Sequence, residues 1–132
     1  GHSADSLSFR VNGDSSILTG DTVLGRGTTV IAWPEGRLGD YLASLETLAE
    51  TIDVHGISGI LPGHGPLIHD PAERIAQYKR HRAERLDEVR QALDSGARTA
   101  DEVVAIVYAQ TPQGLLGAAR LSVQAQMEYL NS

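Results

Sequence analysis

Leu61-Pro62-Gly63-His64-Gly65-Pro66 is the stretch from which this chain is best read. A short apolar run, Ile57 to Leu61, leads into it and stops at a proline. The length of that run and its boundaries are those of a buried strand. His64 then lies between two glycines, and Pro66 closes the turn. Glycine removes side-chain bulk and permits backbone angles that other residues avoid. The combination lifts an imidazole off a strand end onto an open rim. Two readings stand at this point: a metal ligand, or an ordinary turn with a solvated histidine.

Upstream, Leu7, Phe9 and Val11 alternate with Ser8 and Arg10. Period two predicts a half-buried strand over 7–11. Asn12-Gly13-Asp14 is a hairpin turn signal, and Ile17-Leu18-Thr19 returns as the partner strand, ending at Gly20-Asp21. Thr22 to Leu24 continues the extended run, and Thr28 to Trp33 reads as a further extended segment. Asp40 is placed to cap a helix in which Leu42, Leu45, Leu48 and Ala49 share one face. Gly56 separates that helix from the Ile57 strand. A hairpin, a helix and a strand in close succession point to an α/β layer.

Downstream the pattern turns helical. Asp70-Pro71-Ala72-Glu73 combines a cap, a first-turn proline and a capping-box acid. The helix it opens runs to about Asp94, with Ile75, Tyr78, Leu86, Val89 and Leu93 as its buried stripe. Thr99-Ala100-Asp101-Glu102 is a second capping box, and Thr111-Pro112 stops the helix that follows. A last helix over 115–130 buries Leu116, Ala119, Val123, Met127 and Leu130. The chain therefore divides into an α/β part, 1–70, and a helical part, 71–132.

Composition bounds the chemistry. The chain has 132 residues and 41% apolar residues, enough for a core built on Leu, Val, Ile and Ala. There is no cysteine, so disulfides and thiolate metal sites are excluded. No apolar run is long enough to span a membrane, and no leader pattern opens the chain, so a cytoplasmic protein with no membrane partner is expected. The formal net charge of -6 argues against bulk nucleic-acid binding but leaves room for a local basic groove. Lys79 is the only lysine against ten arginines, which suggests a GC-rich bacterial source.

His2, Asp21 and His64 form the candidate site. Asp21 lies just past the Ile17 strand, His64 just past the Ile57 strand, and His2 just before the Leu7 strand. A hairpin sets the start of its first strand beside the end of its second, so His2 and Asp21 should be neighbours. If the Ile57 strand joins the same sheet, His64 reaches the same rim. Two imidazoles and a carboxylate suit zinc and similar divalent ions. The alternatives are plain: His2 left over from a purification tag, and Asp21 as a turn residue.

Gly1-His2-Ser3, Leu18-Thr19-Gly20-Asp21-Thr22 and Pro62-Gly63-His64-Gly65 together resemble motifs from the second half of metallo-β-lactamase-fold hydrolases. Gly20 to Thr29, Asp40 to Leu45, Leu61 to Pro66 and Tyr78 to Arg82 are similar to the beta-lactamase-like protein 2 subgroup, which includes endoribonucleases. The resemblance implies the C-terminal half of an αββα sandwich followed by a helical winged-helix-like domain. It implies two Zn2+ in the intact enzyme, with His2 on the first metal, His64 on the second, and Asp21 bridging both as the catalytic carboxylate. A carboxylate suits the bridge because each oxygen can face one metal. A metal-bridging hydroxide would attack RNA phosphodiesters or a small-molecule thioester, ester or lactam. The family's His-x-His-x-Asp-His signature occurs nowhere in these residues. The expectation is therefore a fragment that binds metal weakly or not at all and is inactive alone. Its exposed sheet face is expected to favour a homodimer or a noncovalently held N-terminal half. The alternatives are a nucleic-acid-binding helical module and a non-catalytic scaffold.

The other histidines carry less. His69 is expected at the surface or orienting a ligand, His55 at a helix end, and His81 in solvent. Arg74, Lys79, Arg80, Arg82 and Arg85 make a positive strip, read either as a solvated face paired with nearby acids or as an RNA-backbone contact. The last two helices resemble a helix-turn-helix, but Arg120, Gln124 and Gln126 opposed by Glu128 read better as packing than as DNA recognition.

Overall fold

A computed structural model describes residues 1–132. Its elements are β1 (Phe9–Arg10), β2 (Ser16–Gly20), α1 (Leu38–His55), β3 (Gly59–Pro62), α2 (Pro71–Asp94), α3 (Ala100–Val107) and α4 (Leu116–Asn131). A single 3-10 turn, Gln113–Leu115, leads into α4. The strands form one sheet in the order β1-β2-β3. β1 and β2 are antiparallel, and β2 and β3 are parallel. Parallel neighbours need a crossover, and α1 supplies it.

One face of the sheet packs on α1 and α2. Ile17 and Ile60 are buried there with Tyr41, Leu45, Leu48, Ile52, Ile75 and Tyr78. The other face is apolar and open. Phe9 pairs with Leu18, and Leu18 with Leu61, so the three lie in one row across the strands. All three are exposed, as is Leu7. The expected half-buried strand over 7–11 is corrected here. β1 is only Phe9–Arg10, exposed throughout, because its apolar side faces away from the helices.

α1 also differs from expectation. It begins at Leu38 with Arg37 as a cap lacking a side-chain hydrogen bond, and Asp40 sits inside its first turn. Its buried stripe is Leu38, Tyr41, Leu45, Leu48 and Ile52, a ladder of steps of three and four. Gly56 ends it in the left-handed conformation at φ 59°, where glycine carries no steric penalty. β3 starts two residues later than the expected strand, at Gly59.

α2 begins as its sequence indicates. Asp70 accepts a hydrogen bond from the Glu73 N–H at 3.1 Å, with Pro71 at the first position. The reciprocal half of that box is absent, since the Glu73 carboxylate binds Gln77 and Arg80 instead. Thr99 and Glu102 do form a complete capping box. A second core, around Val89, Val103, Ala119 and Val123, lies between the later half of α2 and helices α3 and α4. α2 therefore contributes to both cores, and so does α4, through Ala125. Thr22–Leu24 and Thr28–Trp33, expected to be extended, belong to no strand. No helix is long and apolar enough to cross a membrane.

Candidate functional site

Two loops meet at the carboxyl ends of the parallel pair. The first leaves β2 at Gly20, whose φ of 53° turns the chain sharply. The Thr22 N–H returns to the Thr19 carbonyl, and the Thr19 hydroxyl donates to the Val23 carbonyl. The second loop leaves β3 at Pro62. The Gly63 N–H donates to the Gly20 carbonyl at 2.7 Å, and the Gly25 N–H to the His64 carbonyl at 2.9 Å. The loops thus lie backbone against backbone.

The glycines are required by that approach. A Cβ on Gly25 would stand 2.0 Å from the Pro66 carbonyl oxygen. One on Gly63 would meet Asp21 Oδ1 at 2.6 Å. Gly65 combines a crowded position, 2.7 Å from the Arg26 nitrogen, with a φ of 87°. Seated in this way, His64 Nδ1 and Asp21 Oδ1 come to 2.6 Å. The imidazole is 77% exposed and the carboxylate 37%. His64 Nε2 makes no hydrogen bond.

His2 approaches from the N-terminal turn. Its Nδ1 lies 2.9 Å from the Ser6 hydroxyl, which also contacts the Ser3 hydroxyl at 2.8 Å. The Ser3 hydroxyl donates to Asp5 at 2.7 Å. That bond, the Asp5 backbone N–H and the nearby His2 ring hold the Asp5 carboxyl below its ordinary pKa. The Gly1 nitrogen donates to the Ser44 hydroxyl on α1 at 3.0 Å. His2 and Asp21 line one open hollow of about 450 Å³, together with Asp5. So Asp21 and His64 touch, and His2 shares a hollow with Asp21. No three histidine, aspartate or glutamate side chains are grouped closely enough to hold one ion.

The wall behind the rim was not legible in the sequence. The Tyr41 hydroxyl, fully buried, donates to the Thr22 carbonyl at 2.8 Å. The Leu24 N–H donates to the Tyr78 hydroxyl at 2.8 Å. Arg74 donates to the Leu24 and Gly27 carbonyls, and Arg82 to that of Thr29. These four side chains hold the loop after Asp21 in place of a strand ladder. Their partners lie about 20 to 50 residues away in sequence, so no local signal marks them.

Of the two readings of the basic cluster on α2, a face paired with nearby acids is the one the structure shows. Arg74 and Arg82 are committed to the loop. Lys79 pairs with Glu46, Arg80 with Glu73 and Arg85 with Glu88. His81 is half-buried rather than solvated, and burial, with Arg82 and Arg85 beside it, holds its pKa below the ordinary value. His69 and His55 are exposed. On α4, Arg120 pairs with Asp101 and Gln126 is buried, which suits packing rather than base reading.

The chain is similar to several known proteins. Residues 99–132 match the beta-lactamase associated winged helix domain. The chain is 32% identical to a beta-lactamase-like protein 2 homolog of Caenorhabditis elegans, over 98% of this chain and 42% of that protein. It is also 32% identical to an atrochrysone carboxyl ACP thioesterase of Aspergillus chevalieri, over 86% of this chain and 37% of that one. A crystal structure of a metallo-beta-lactamase family protein from Thermus thermophilus superimposes with a TM-score of 0.81 and 28% identity, over 99% of this chain and 41% of that protein. The chain spans about two fifths of the length of the relatives it matches.

Proposed function

The chain belongs to the metallo-β-lactamase superfamily, and from that premise we propose that it contributes one rim of a dinuclear-metal hydrolase site. The observation that carries this is the contact between Asp21 and His64 on two loops that cannot separate without breaking their glycine packing. The donor chemistry fits. Imidazole and carboxylate are ordinary zinc ligands, and the rim is open to solvent. Metal-binding histidines commonly spend one ring nitrogen on a protein oxygen and leave the other for the ion. His64 does so through Asp21, and His2 through Ser6. We assign His2 to a first ion, His64 to a second, and Asp21 to the position between them.

When bound, divalent ions of this kind lower the pKa of a coordinated water and stabilise the negative charge of the transition state. This chain's part is positional. An Nδ1–H donated to Asp21 fixes the His64 tautomer and leaves Nε2 as the free lone pair. Ser6, held by Ser3, limits the rotation of His2. The two packed loops keep the Asp21 carboxylate at the rim while the hollow beside it admits substrate. The reading covers hydrolysis of a thioester or related acyl bond, or of an RNA phosphodiester. The acyl reading draws on the fungal thioesterase relative, and Lys79 and Arg80 of α2, paired with Glu46 and Glu73, do not favour an RNA-binding strip. With no complete donor trio in this chain, weak zinc binding and little hydrolysis are expected of it alone.

Zinc titration against a chromophoric chelator tests the assignment. The chain should bind weakly, and His64→Ala and Asp21→Ala should each abolish binding. Unchanged affinity in both variants would refute the assignment. In a full-length parent, Asp21→Ala should abolish hydrolysis.

A further inference from the structure

A second cleft lies where the loop after the rim, helix α2 and helix α4 meet. It encloses about 280 Å³, and its walls include Thr28, Thr29, His81, Arg82, Arg85 and Ser122. No residue of the metal rim takes part, and nothing in the reading of that rim is needed here. Arg82 is 5% exposed and meets no carboxylate. Its guanidinium donates to the Thr29 carbonyl and lies 5.5 Å from the centre of the Tyr41 ring. Its Nε has no partner, and neither has the enclosed Nδ1 of His81. Arg85 stacks on Tyr108 at 5.4 Å and pairs on one side with Glu88.

Charge and hydrogen-bonding capacity are therefore out of balance. A cation removed from water is costly unless acceptors and counter-charge replace the water. One carbonyl and one ring face replace it only in part. Glu88 serves Arg85, and Glu84 lies on the exposed side of α2, so no acid lines the cleft. Hydroxyls from the loop and from α4 line the same space as the guanidinium of Arg85 and the ring of His81. Donor-bearing residues of three elements line the cleft beside apolar Val30 and Leu115. Such a set suits a group with several acceptor oxygens around one centre, and the planar guanidinium fork of Arg85 matches phosphate oxygens.

We propose that this cleft binds the phosphoryl group of a small phosphomonoester, with Arg85 as the direct cation and Arg82 as the buried charge behind it. The lowered pKa of His81 is in keeping with this. Burial first, and the two guanidiniums after it, favour the neutral ring, which keeps one N–H to donate.

The test is a titration of the chain with inorganic phosphate at constant ionic strength, followed in amide NMR spectra. Saturable shifts confined to Thr28, Thr29, His81, Arg85 and their neighbours are expected. Arg85→Gln should weaken binding roughly tenfold, as for loss of one charge-assisted contact. His81→Phe should block it by filling the space, and Arg120→Gln, whose guanidinium pairs with Asp101 elsewhere, should leave it unchanged. A mononucleotide should bind at the same place. Unsaturable shifts spread over surface arginines overturn the proposal, and so does unchanged affinity in both Arg85→Gln and His81→Phe. Binding of a single-stranded oligonucleotide without binding of phosphate or the mononucleotide also overturns it.

Discussion

The rim and the wall behind it divide the labour of the site in opposite ways. At the rim, His64 is 77% exposed and its contact with Asp21 faces water. Exposed polar contacts of that kind contribute little to stability, about 0–1 kcal/mol even between full charges. Behind it, Tyr41 and Tyr78 are fully buried and Arg82 nearly so, and each holds a backbone group of the loop that carries Asp21. The residues with chemistry to do are therefore held in position by residues with none. A donor can remain open to a ligand only because its loop is fastened from the other side.

Substitutions can break that contrast. The largest effect is expected from Gly25→Ala, which sets a methyl group against the Pro66 carbonyl. Loss of roughly 3 kcal/mol in denaturant unfolding is expected, with separation of the two loops. Gly114→Ala, where a methyl group meets open space, should stay within about 1 kcal/mol of the parent. Next comes Tyr41→Phe, which keeps the ring but leaves the buried Thr22 carbonyl without its donor; about 1–3 kcal/mol should be lost. If Tyr41→Phe costs nothing, the wall does not hold the loop.

A smaller and pH-dependent effect belongs to His81. Its pKa is lowered from an ordinary value of 6.5, chiefly by burial. Below pH 6.5 the unfolded chain takes up a proton that the folded chain resists. Its contribution to stability is therefore full above that pH and falls as pH drops toward the folded-state value. Unfolding curves across that window should show a shallower pH slope in His81→Leu than in the parent. The smallest effect is expected at the rim. His64→Ala should change stability by less than about 0.5 kcal/mol while abolishing zinc binding. A large loss of stability in that variant would erase the distinction between rim and wall.

Some of this was written in local sequence. The Gly-His-Gly turn, the end of α1 at Gly56, the cap at Asp70 and the box at Thr99 rest on conformational rules that act within a few residues. Asp21 and His64 each follow a strand end in the sequence, but that the two strands are neighbours was left open there and comes from the pairing of β2 with β3. The misses are of another kind. Leu7 and Phe9 alternate as a half-buried strand should, yet period two says only that two faces differ, not that anything covers the apolar one. In the Arg74 to Arg85 cluster the acids of α2 itself could be read as partners from the sequence, whereas Glu46 on α1 and the Leu24 carbonyl of the rim loop could not.

By itself the sequence determined where the chain turns, which residues cap its helices, and which side chains could serve as metal donors, since backbone sterics and neighbouring hydrogen bonds decide those matters locally. Only the tertiary structure decided that Asp21 meets His64, that Gly25 lies against Pro66, and that Arg82 is buried beside a cleft shared with His81 and Arg85. Those facts depend on segments about 40 to 55 residues apart coming into contact, and contact at that range is set by packing, which no short stretch of sequence encodes.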